Sequence, residues 1–219
     1  MFKAIADNRE PNSIAAKLRR RRTAFFASLL APLEKPVWIL DIGGTEQYWR
    51  MMNLPNHAGL SITLLNLEAR AVTLPGCVSV RGDARSLEFD DQSFDVVFSN
   101  SVIEHVGDFH NQMRMANEAR RVGKRYFVQT PNRYFPIEPH FVFPLFQFLP
   151  IQWRVWLLTH FNLGWFARMT DRDEARQVVE GIRLLGRDEI KTLFPGALIY
   201  EERFFLLTKS FVAYGGWEK

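Results

Sequence analysis

Two histidines are the side chains most able to do chemistry in this sequence, because an imidazole titrates near neutral pH and can act as a general base. His105 lies in the stretch SNSVIEHV, and His140 lies in PNRYFPIEPH, two residues after Glu138. A packed or ligand-lining position is the favoured alternative for His105, and it is an open alternative for His140. The second stretch places other polar side chains among prolines, which is typical of a binding surface: Asn132, Arg133 and Tyr134.

The stretch WILDIGGTEQYW, residues 38–49, has the composition of a ligand-binding loop. A hydrophobic run ends at Asp41, and Gly43 and Gly44 would let the backbone approach a ligand and adopt positive φ. A helix is predicted to begin next, with its N-terminus pointing at the same place. Neither G-x-G-x-x-G nor G-x-x-x-x-G-K-[ST] is present, which argues against a dinucleotide or a triphosphate and favours a smaller, less anionic ligand.

Further polar residues follow the next hydrophobic runs. About 25 residues after the loop, Asn66 or Glu68 could bind ribose hydroxyls. Asp83 could accept a hydrogen bond from an adenine amino group, with the Ala84 amide facing the ring nitrogen. The alternatives are a turn cap for Asn66 and an Asx-turn for Asp83. Small polar residues end the following run and would let a ligand lie against it: Ser99, Asn100 and Ser101.

The elements that must position these residues alternate along the chain. Strands are predicted at 37–40, 61–66, 77–81, 94–100 and 125–130, with Pro131 ending the last, and helices at 47–53 and 110–121. Such alternation predicts a parallel sheet with helices on both faces, and ligands then bind at the carboxyl ends of the strands. A helix at 186–194, capped near Asp188, and two strands split near 205–208 would complete the chain.

Two segments lie outside this alternation. Residues 13–31 are predicted to form an amphipathic helix, capped by Asn12 or Ser13, which packs across the domain edge with solvated arginines. Contact with an anionic membrane surface or an acidic partner is the alternative. The apolar face of this helix is predicted to contain Ile14, Leu18, Phe25 and Leu29.

The second segment, residues 131–185, is rich in aromatic residues and proline, and it is predicted to form a partly helical lid. An interfacial surface or a pocket for a hydrophobic acceptor is the alternative, because Trp153, Trp156 and Trp165 suit the headgroup level of a membrane. Prolines and glutamines interrupt the segment, which argues against a bilayer span. The sequence therefore predicts four regions: 1–35, 36–130, 131–185 and 186–219.

Charge and cysteine content narrow the function further. The first 31 residues carry a net charge of +5, which leaves −1 for the rest of a chain whose total is +4. A globally basic nucleic-acid binder is therefore disfavoured. The single cysteine, Cys77, indicates a reducing compartment, and no signal peptide or spanning helix is expected. We expect a cytoplasmic protein, with peripheral contact at the inner face of the membrane as a further expectation.

Taken together, these motifs resemble those of the class I S-adenosylmethionine-dependent methyltransferases, the type 11 small-molecule family. The stretches ILDIGG and GDARSLEFDDQSFDVVFSNSVIEHV carry the resemblance over residues 37–130, and LIYEERFFLLTKSFVAY is similar to the family's closing strand pair. Thr45 and Gln47 replace two glycines of the usual D-x-G-x-G-x-G motif. GGTEQYW instead resembles a G-G-T-x-x-[FY]-W subgroup.

The resemblance implies an α/β fold: a Rossmann-like seven-stranded sheet, mostly parallel with the last strand antiparallel. It also implies S-adenosylmethionine as methyl donor and in-line methyl transfer to a small-molecule, glycan-linked or lipid-linked acceptor. No metal is expected, because no arrangement of Cys and His in the sequence has the spacing of a zinc site. An inactive donor-binding protein acting as a partner or regulator is the alternative. Catalytic roles are predicted for His140 and His105, and donor binding for Asp41, Gly43, Gly44, Thr45, Asn66, Glu68, Asp83, Ala84, Asn100 and Ser101.

Overall fold

A seven-stranded sheet forms the centre of the computed structural model, which describes residues 13–52 and 59–217. The strand order is β3-β2-β1-β4-β5-β9-β8, and a separate two-stranded sheet pairs β6 with β7. The strands are β1 (Val37–Ile42), β2 (Leu60–Asn66), β3 (Cys77–Arg81), β4 (Val96–Asn100), β5 (Tyr126–Pro131), β6 (Ile137–Glu138), β7 (Phe143–Pro144), β8 (Leu198–Phe204) and β9 (Leu207–Gly215).

Strand direction confirms the predicted fold class. β1 pairs in parallel with both β2 and β4, with Asp41 beside Leu64 on one side and Phe98 on the other. The strand order therefore reverses around β1, which places a ligand cleft at its carboxyl end. β9 runs antiparallel to β5 and β8, so it is the antiparallel strand of this sheet. Pro131, predicted to stop the fifth strand, is instead the last residue of β5.

Helices cover both faces of the sheet. Side chains along β1 point alternately to the two faces, so each face carries apolar residues that must be covered. Val37 and Ile39 lie in the core shared with the first two helices, and Leu40 and Ile42 lie in the opposite core. The helices are α1 (Ile14–Leu30), α2 (Glu46–Met52), α3 (Phe109–Val122), α4 (Ile151–His160), α5 (Arg172–Glu180) and α6 (Arg187–Leu193). The predicted end of the second helix at Asn53 lies outside the described residues.

The residues between β5 and α6 form a compact unit with a core of their own. Phe141 stacks on Phe146, with ring centroids 4.1 Å apart, and α4 packs against α5 through Val155 and Val179. Several aromatic side chains point away from this core, and they are 41–60% exposed: Trp153, Trp156, Phe161 and Trp165. Among the described helices, none is long and apolar enough to cross a membrane.

The N-terminal cap of α6 differs from the predicted one. The helix is capped at Gly186, whose N–H donates to Glu189 Oε2 at 2.8 Å. Asp188, predicted as the cap, lies one residue inside the helix. The glutamate three residues after the cap was the signal for this arrangement, because a side chain at that position can reach back to the cap N–H.

Helix α1 packs on the sheet, as its sequence predicts, but one of its arginines is internal. Ser13 caps the helix by accepting from Ala16 N at 2.9 Å; Asn12 and the Ile14 side chain lie outside the described residues. The most buried side chains of its second half are Phe26 and Leu30, one position after the predicted Phe25 and Leu29.

Arg22 contradicts the prediction that the α1 arginines are all solvated. Its Nη1 contacts Glu202 Oε2 at 2.7 Å, and the two side chains are only 11% and 2% exposed. Glu202 also accepts a short hydrogen bond from Ser210 Oγ on β9. Part of the basic charge predicted for a membrane surface or a partner therefore fixes α1 to the edge strands instead.

Replacing Arg22 by alanine is expected to destabilise the fold by about 3 kcal/mol, because the buried Glu202 carboxylate would lose its counter-charge. Urea unfolding measures this loss. The matched control is Arg21→Ala, since Arg21 is exposed on the same helix; its cost should stay within about 0.5 kcal/mol. Equal stabilities of the two variants would contradict a structural role for the Arg22–Glu202 pair.

Candidate active site

The loop after β1 is built around the buried carboxylate of Asp41. Trp49 Nε1 of α2 donates to Asp41 Oδ2 at 2.6 Å, and Asp41 is 1% exposed. A Cβ added at Gly44 would lie 1.8 Å from the same Oδ2, so a residue with a side chain cannot replace Gly44 without moving Asp41. Asn66 Nδ2, at the end of β2, donates to Gly44 O at 2.9 Å and fixes the loop from the other side.

Gly43 is required for a different reason. Its φ is +73°, and an added Cβ would lie 2.4 Å from a Val102 methyl group beyond β4. Its N–H donates to Leu65 O at 2.8 Å, in continuation of the β1–β2 ladder. Four of the predicted donor-binding residues are thereby brought together at the point where strand order reverses: Asp41, Gly43, Gly44 and Asn66.

Thr45 and Glu68 lie nearby with different surroundings. Thr45 Oγ1 accepts from Tyr48 N at 3.2 Å, so this hydroxyl caps α2 at the position where the usual motif has glycine. Glu46 accepts from Thr73 N at 2.8 Å and joins α2 to the loop that precedes β3. Glu68 is exposed in that loop, and no hydrogen bond holds it among the described residues.

Asp83 and Ala84 follow β3. Asp83 Oδ1 accepts from Arg85 N at 2.9 Å, the Asx-turn anticipated as its alternative role, and Arg85 Nη2 contacts Oδ2 at 2.7 Å. These bonds to Arg85, partly offset by burial, lower the pKa of Asp83. Ala84 is buried beside the turn. The carboxylate is thus ionised and held in place, but shared with Arg85.

The end of β4 carries an unused hydrogen-bond acceptor. Asn100 Oδ1 is buried and has no hydrogen-bond partner among the described residues. The neighbouring Ser101 has φ +55° and donates from Oγ to Gln129 Oε1 at 2.9 Å, which turns the chain away from the sheet. Because an unsatisfied buried acceptor is costly, Asn100 suits a ligand that brings a donor to this edge.

The two predicted catalytic histidines, 35 residues apart in sequence, are in direct contact. His105 Nε2 and His140 Nε2 are 3.1 Å apart, and His140 Nδ1 lies 2.7 Å from Glu138 Oε1. Glu138 is buried, and its Oε2 accepts from the backbone N–H of His140 and of Phe141, each at 2.7 Å. The result is a chain of an exposed imidazole, a half-buried imidazole and a buried carboxylate.

Opposite environments separate the pKa values of the two imidazoles. His105 is exposed as a residue, but partial burial of its ring and the neighbouring His140 lower its pKa to about 4. Burial alone would lower the pKa of His140 too, but the hydrogen bond and charge of Glu138, aided by Glu104, outweigh it and raise that pKa above its usual value. A proton shared by the pair therefore resides on His140.

Glu104 is a site residue that the sequence analysis missed. It is fully buried and accepts from Thr130 Oγ1 at 3.1 Å, and its Oε1 has no hydrogen-bond partner within residues 13–52 and 59–217. Burial raises its pKa to about 7. Its place directly before His105 was the available signal. Ligand atoms of Glu104, His105 and His140 lie within 4.8 Å of one another, so these three residues could hold a divalent cation.

The strand order and the loop after β1 define the class I methyltransferase fold, and comparison with known proteins agrees. Residues 40–126 match a family model described as a methyltransferase domain. A structure of an S-adenosylmethionine-dependent methyltransferase from Aquifex aeolicus is similar, with a TM-score of 0.53, 9% identity and coverage of 91% of each chain. The chain therefore has the fold of the S-adenosylmethionine-dependent methyltransferases, and residues 40–126 are similar to a methyltransferase domain.

Two further comparisons cover other ranges. Haemonchus contortus phosphoethanolamine N-methyltransferase 2, in complex with phosphomonomethylethanolamine and S-adenosylhomocysteine, has a TM-score of 0.50 and 16% identity over 83% of this chain and 38% of that one. Two uncharacterized Mycobacterium tuberculosis proteins, MT1557 and Rv1509, are each 38% identical over 56 residues. That match covers 26% of this chain and 19% of each relative.

The raised pKa of Asp41 predicts how the stability of the fold depends on pH. Burial, partly offset by the Trp49 hydrogen bond, raises its pKa from 3.8 to about 8. The folded state thus binds a proton that the unfolded state has already released, so stability is lost as the pH rises through this interval. Asp41→Asn keeps an acceptor for Trp49 and removes the titration.

We expect the Asp41→Asn variant to gain stability relative to the wild type between pH 5 and pH 8, by an amount on the order of a few kcal/mol. Urea unfolding at the two pH values measures the gain. Parallel pH dependences of the two proteins would show that the Asp41 carboxyl ionises without penalty in the folded state.

Proposed function

We propose that the protein is an active methyltransferase that uses S-adenosylmethionine as methyl donor. The observation that carries this proposal is the close-packed loop of Asp41, Gly43 and Gly44 at the carboxyl end of β1, where the strand order reverses. A Cβ at Gly43 would lie 2.4 Å from Val102, and one at Gly44 would lie 1.8 Å from Asp41 Oδ2, so only glycine lets the backbone follow this path. The donor supplies an electrophilic methyl group on a sulfonium. The task of the protein is then to align the acceptor atom with that methyl group and to exclude water, which can contribute up to roughly 7–11 kcal/mol.

The predicted donor contacts are divided among the strand ends. We assign the loop of Asp41, Gly43, Gly44 and Thr45 to the methionine portion. The amide nitrogen of Asn66 is taken by Gly44 O, which leaves Asn66 Oδ1 for a ribose hydroxyl, with Glu68 as the second candidate. The adenine is assigned to Asp83 and Ala84, and Asn100 Oδ1 and Ser101 are assigned to the open edge of β4.

The altered glycine motif gives no support to the inactive alternative. Thr45, at the second glycine position, uses its hydroxyl to cap α2, and the loop keeps its close approach through Gly43 and Gly44. The G-G-T-x-x-[FY]-W pattern has a structural reason as well, because Trp49 is the residue that holds Asp41.

For an acceptor that must lose a proton, we propose a relay through the two histidines. His105 is exposed and follows β4, so it is the imidazole that would accept the proton at its Nδ1. Its Nε2–H would then pass to His140 Nε2, while Glu138 holds the Nδ1–H of His140 and stabilises the imidazolium. The order follows from the pKa difference, since the proton ends on the more basic ring.

The acceptor is proposed to be a small molecule or a glycan- or lipid-linked one. The exposed Trp153, Trp156 and Trp165 favour a hydrophobic or membrane-associated acceptor. The burial of Arg22 removes one of the charges that would favour an anionic surface. Contact of residues 13–31 and 141–168 with a membrane surface therefore stays a prediction, which co-sedimentation with anionic lipid vesicles would decide.

Donor binding is the direct test of the proposal. Calorimetry with S-adenosylhomocysteine, the demethylated donor, should show binding to the wild-type chain. Asp83→Ala should weaken it by about 1–3 kcal/mol, because a buried polar group of the ligand would lose its partner. Asp91→Ala is the control, since Asp91 is 76% exposed and pairs with Arg121. No heat with the wild type would refute the methyl donor, and an unchanged affinity in Asp83→Ala would remove Asp83 from the site.

The relay predicts a pH dependence of turnover on a hydroxyl acceptor. His140 must be neutral to receive the proton, so turnover should fall as the pH drops below its raised pKa. In Glu138→Gln this acid limb should move to lower pH, because the carboxylate that raises the pKa is gone, and turnover should fall by roughly 10²-fold or more.

Two controls accompany this pH profile. Asp91→Asn changes a carboxylate that is 76% exposed and pairs with Arg121, away from either histidine, and its profile should match the wild type. Turnover of the wild type should also survive dialysis against a chelator, since a cation held by Glu104, His105 and His140 is the competing role for these residues. A profile without an acid limb, or one unchanged in Glu138→Gln, would contradict the relay.

A further inference from the structure

A cavity of about 450 Å³ lies between the unit that follows β5 and the residues that follow β4. It is separate from the donor cradle, but it is adjacent to the histidine pair, because Glu138 lines it and also holds His140. We call it the arginine cavity. Six charged side chains line it: Asp108, Arg133, Glu138, Arg154, Glu180 and Arg183.

The three carboxylates of the arginine cavity already have partners. Asp108 Oδ1 caps α3 by accepting from Asn111 N at 2.8 Å. Glu138 accepts from His140 and from Phe141 N. Glu180 pairs with Arg176 at 3.2 Å. Each carboxylate thus has a partner outside the cavity, although the charges of Glu180 and Glu138 also act on Arg154.

The three arginines differ in this respect. Arg183 donates to Gln112 Oε1 at 2.7 Å and forms a short contact with Glu189. Within residues 13–52 and 59–217, the guanidinium groups of Arg133 and Arg154 have neither an ion pair nor a hydrogen bond, and Arg154 Nε is buried. Two cations without partners thus share one wall region of a cavity.

Burial and the charge of Arg133 lower the pKa of Arg154, whereas Glu180 and Glu138 oppose that effect. Arg133 is exposed, so its guanidinium is open to a ligand from solvent. An oxyanion between the two guanidinium groups would attract both of them. A guanidinium also offers a planar pair of donors that matches a carboxylate or a phosphate.

We propose that the arginine cavity binds an oxyanion group of the methyl acceptor, a carboxylate or a phosphate, through Arg133 and Arg154. The role as acceptor site rests on the proposed methyltransferase function. An acceptor anchored there would extend past Glu138 toward the histidine pair. The anionic group would then bind at some distance from the atom that is methylated. The cavity volume is in the range typical of small-molecule sites.

Anion binding by the full chain, without donor, tests the cavity directly. The probes are inorganic phosphate and succinate at about 20 mM, with sodium chloride adjusted to constant ionic strength. Binding is first detected as a rise in the thermal midpoint of unfolding, and Kd is then measured by titration calorimetry. The wild type should bind at least one probe. Arg133→Gln and Arg154→Gln should each raise Kd at least tenfold, and the double variant should not bind. Arg168→Gln is the control, since Arg168 is exposed in the same unit and does not line the cavity.

The probe that binds more tightly indicates whether the oxyanion group of the acceptor is a phosphate or a carboxylate. Absence of binding of both probes to the wild type, or binding retained by the double variant, would overturn the inference. S-adenosylhomocysteine affinity is measured on every variant and should stay within twofold of the wild type. If the wild type binds that ligand but neither anion, the arginine cavity fails and the methyltransferase proposal stands; the reverse outcome refutes the methyl donor and leaves an anion site.

Discussion

The constraint on which the site depends is the burial of one carboxyl group beneath a glycine. Asp41 ends inside the protein, bonded to Trp49 Nε1 and covered by Gly44 so closely that no side chain fits at that position. The indole fixes α2 relative to β1, and Asn66 fixes the loop relative to β2. The shape of the cradle is therefore set by contacts within the protein, and a ligand would meet it preformed. Pre-organisation of this kind reduces the entropy lost on binding.

The parts of the structure that could be predicted are those determined by neighbouring residues. The run of Val37–Ile42, the turn at Gly43 and Gly44 and the polar strand ends depend on local pattern, so the sheet, its switch point and the position of Asp83 followed from the sequence. Arg22 was misjudged because its partner, Glu202, is 180 residues away. The contact between His105 and His140 likewise depends on how the unit after β5 packs, which periodicity does not encode. Glu104 was missed because its place before His105 marks it as a neighbour of the site but does not show that its side chain is buried.

The two halves of the site are built by different means. The proposed donor side uses backbone groups and strand ends of the central sheet. The proposed acceptor side uses side chains of a unit with its own aromatic core, and polar contacts are among those that join it to the sheet layer. Arg183 N donates to Glu104 O, and Gln112 Nε2 of α3 donates to Arg183 O, each at 2.8 Å. Because the two sides are packed separately, substitutions on the acceptor side could change the preferred acceptor while the donor cradle stays the same.

Glu138 links the proposed chemistry to the proposed recognition. One oxygen holds His140 Nδ1, the other accepts two backbone N–H groups, and the residue forms part of the arginine cavity. Because it is 2% exposed, water screens its charge little. An acceptor anchored at Arg133 and Arg154 would lie against this side chain, which holds the final proton acceptor of the proposed relay in place. An acceptor without the anionic group would therefore lose the anchor that brings it to the histidine pair.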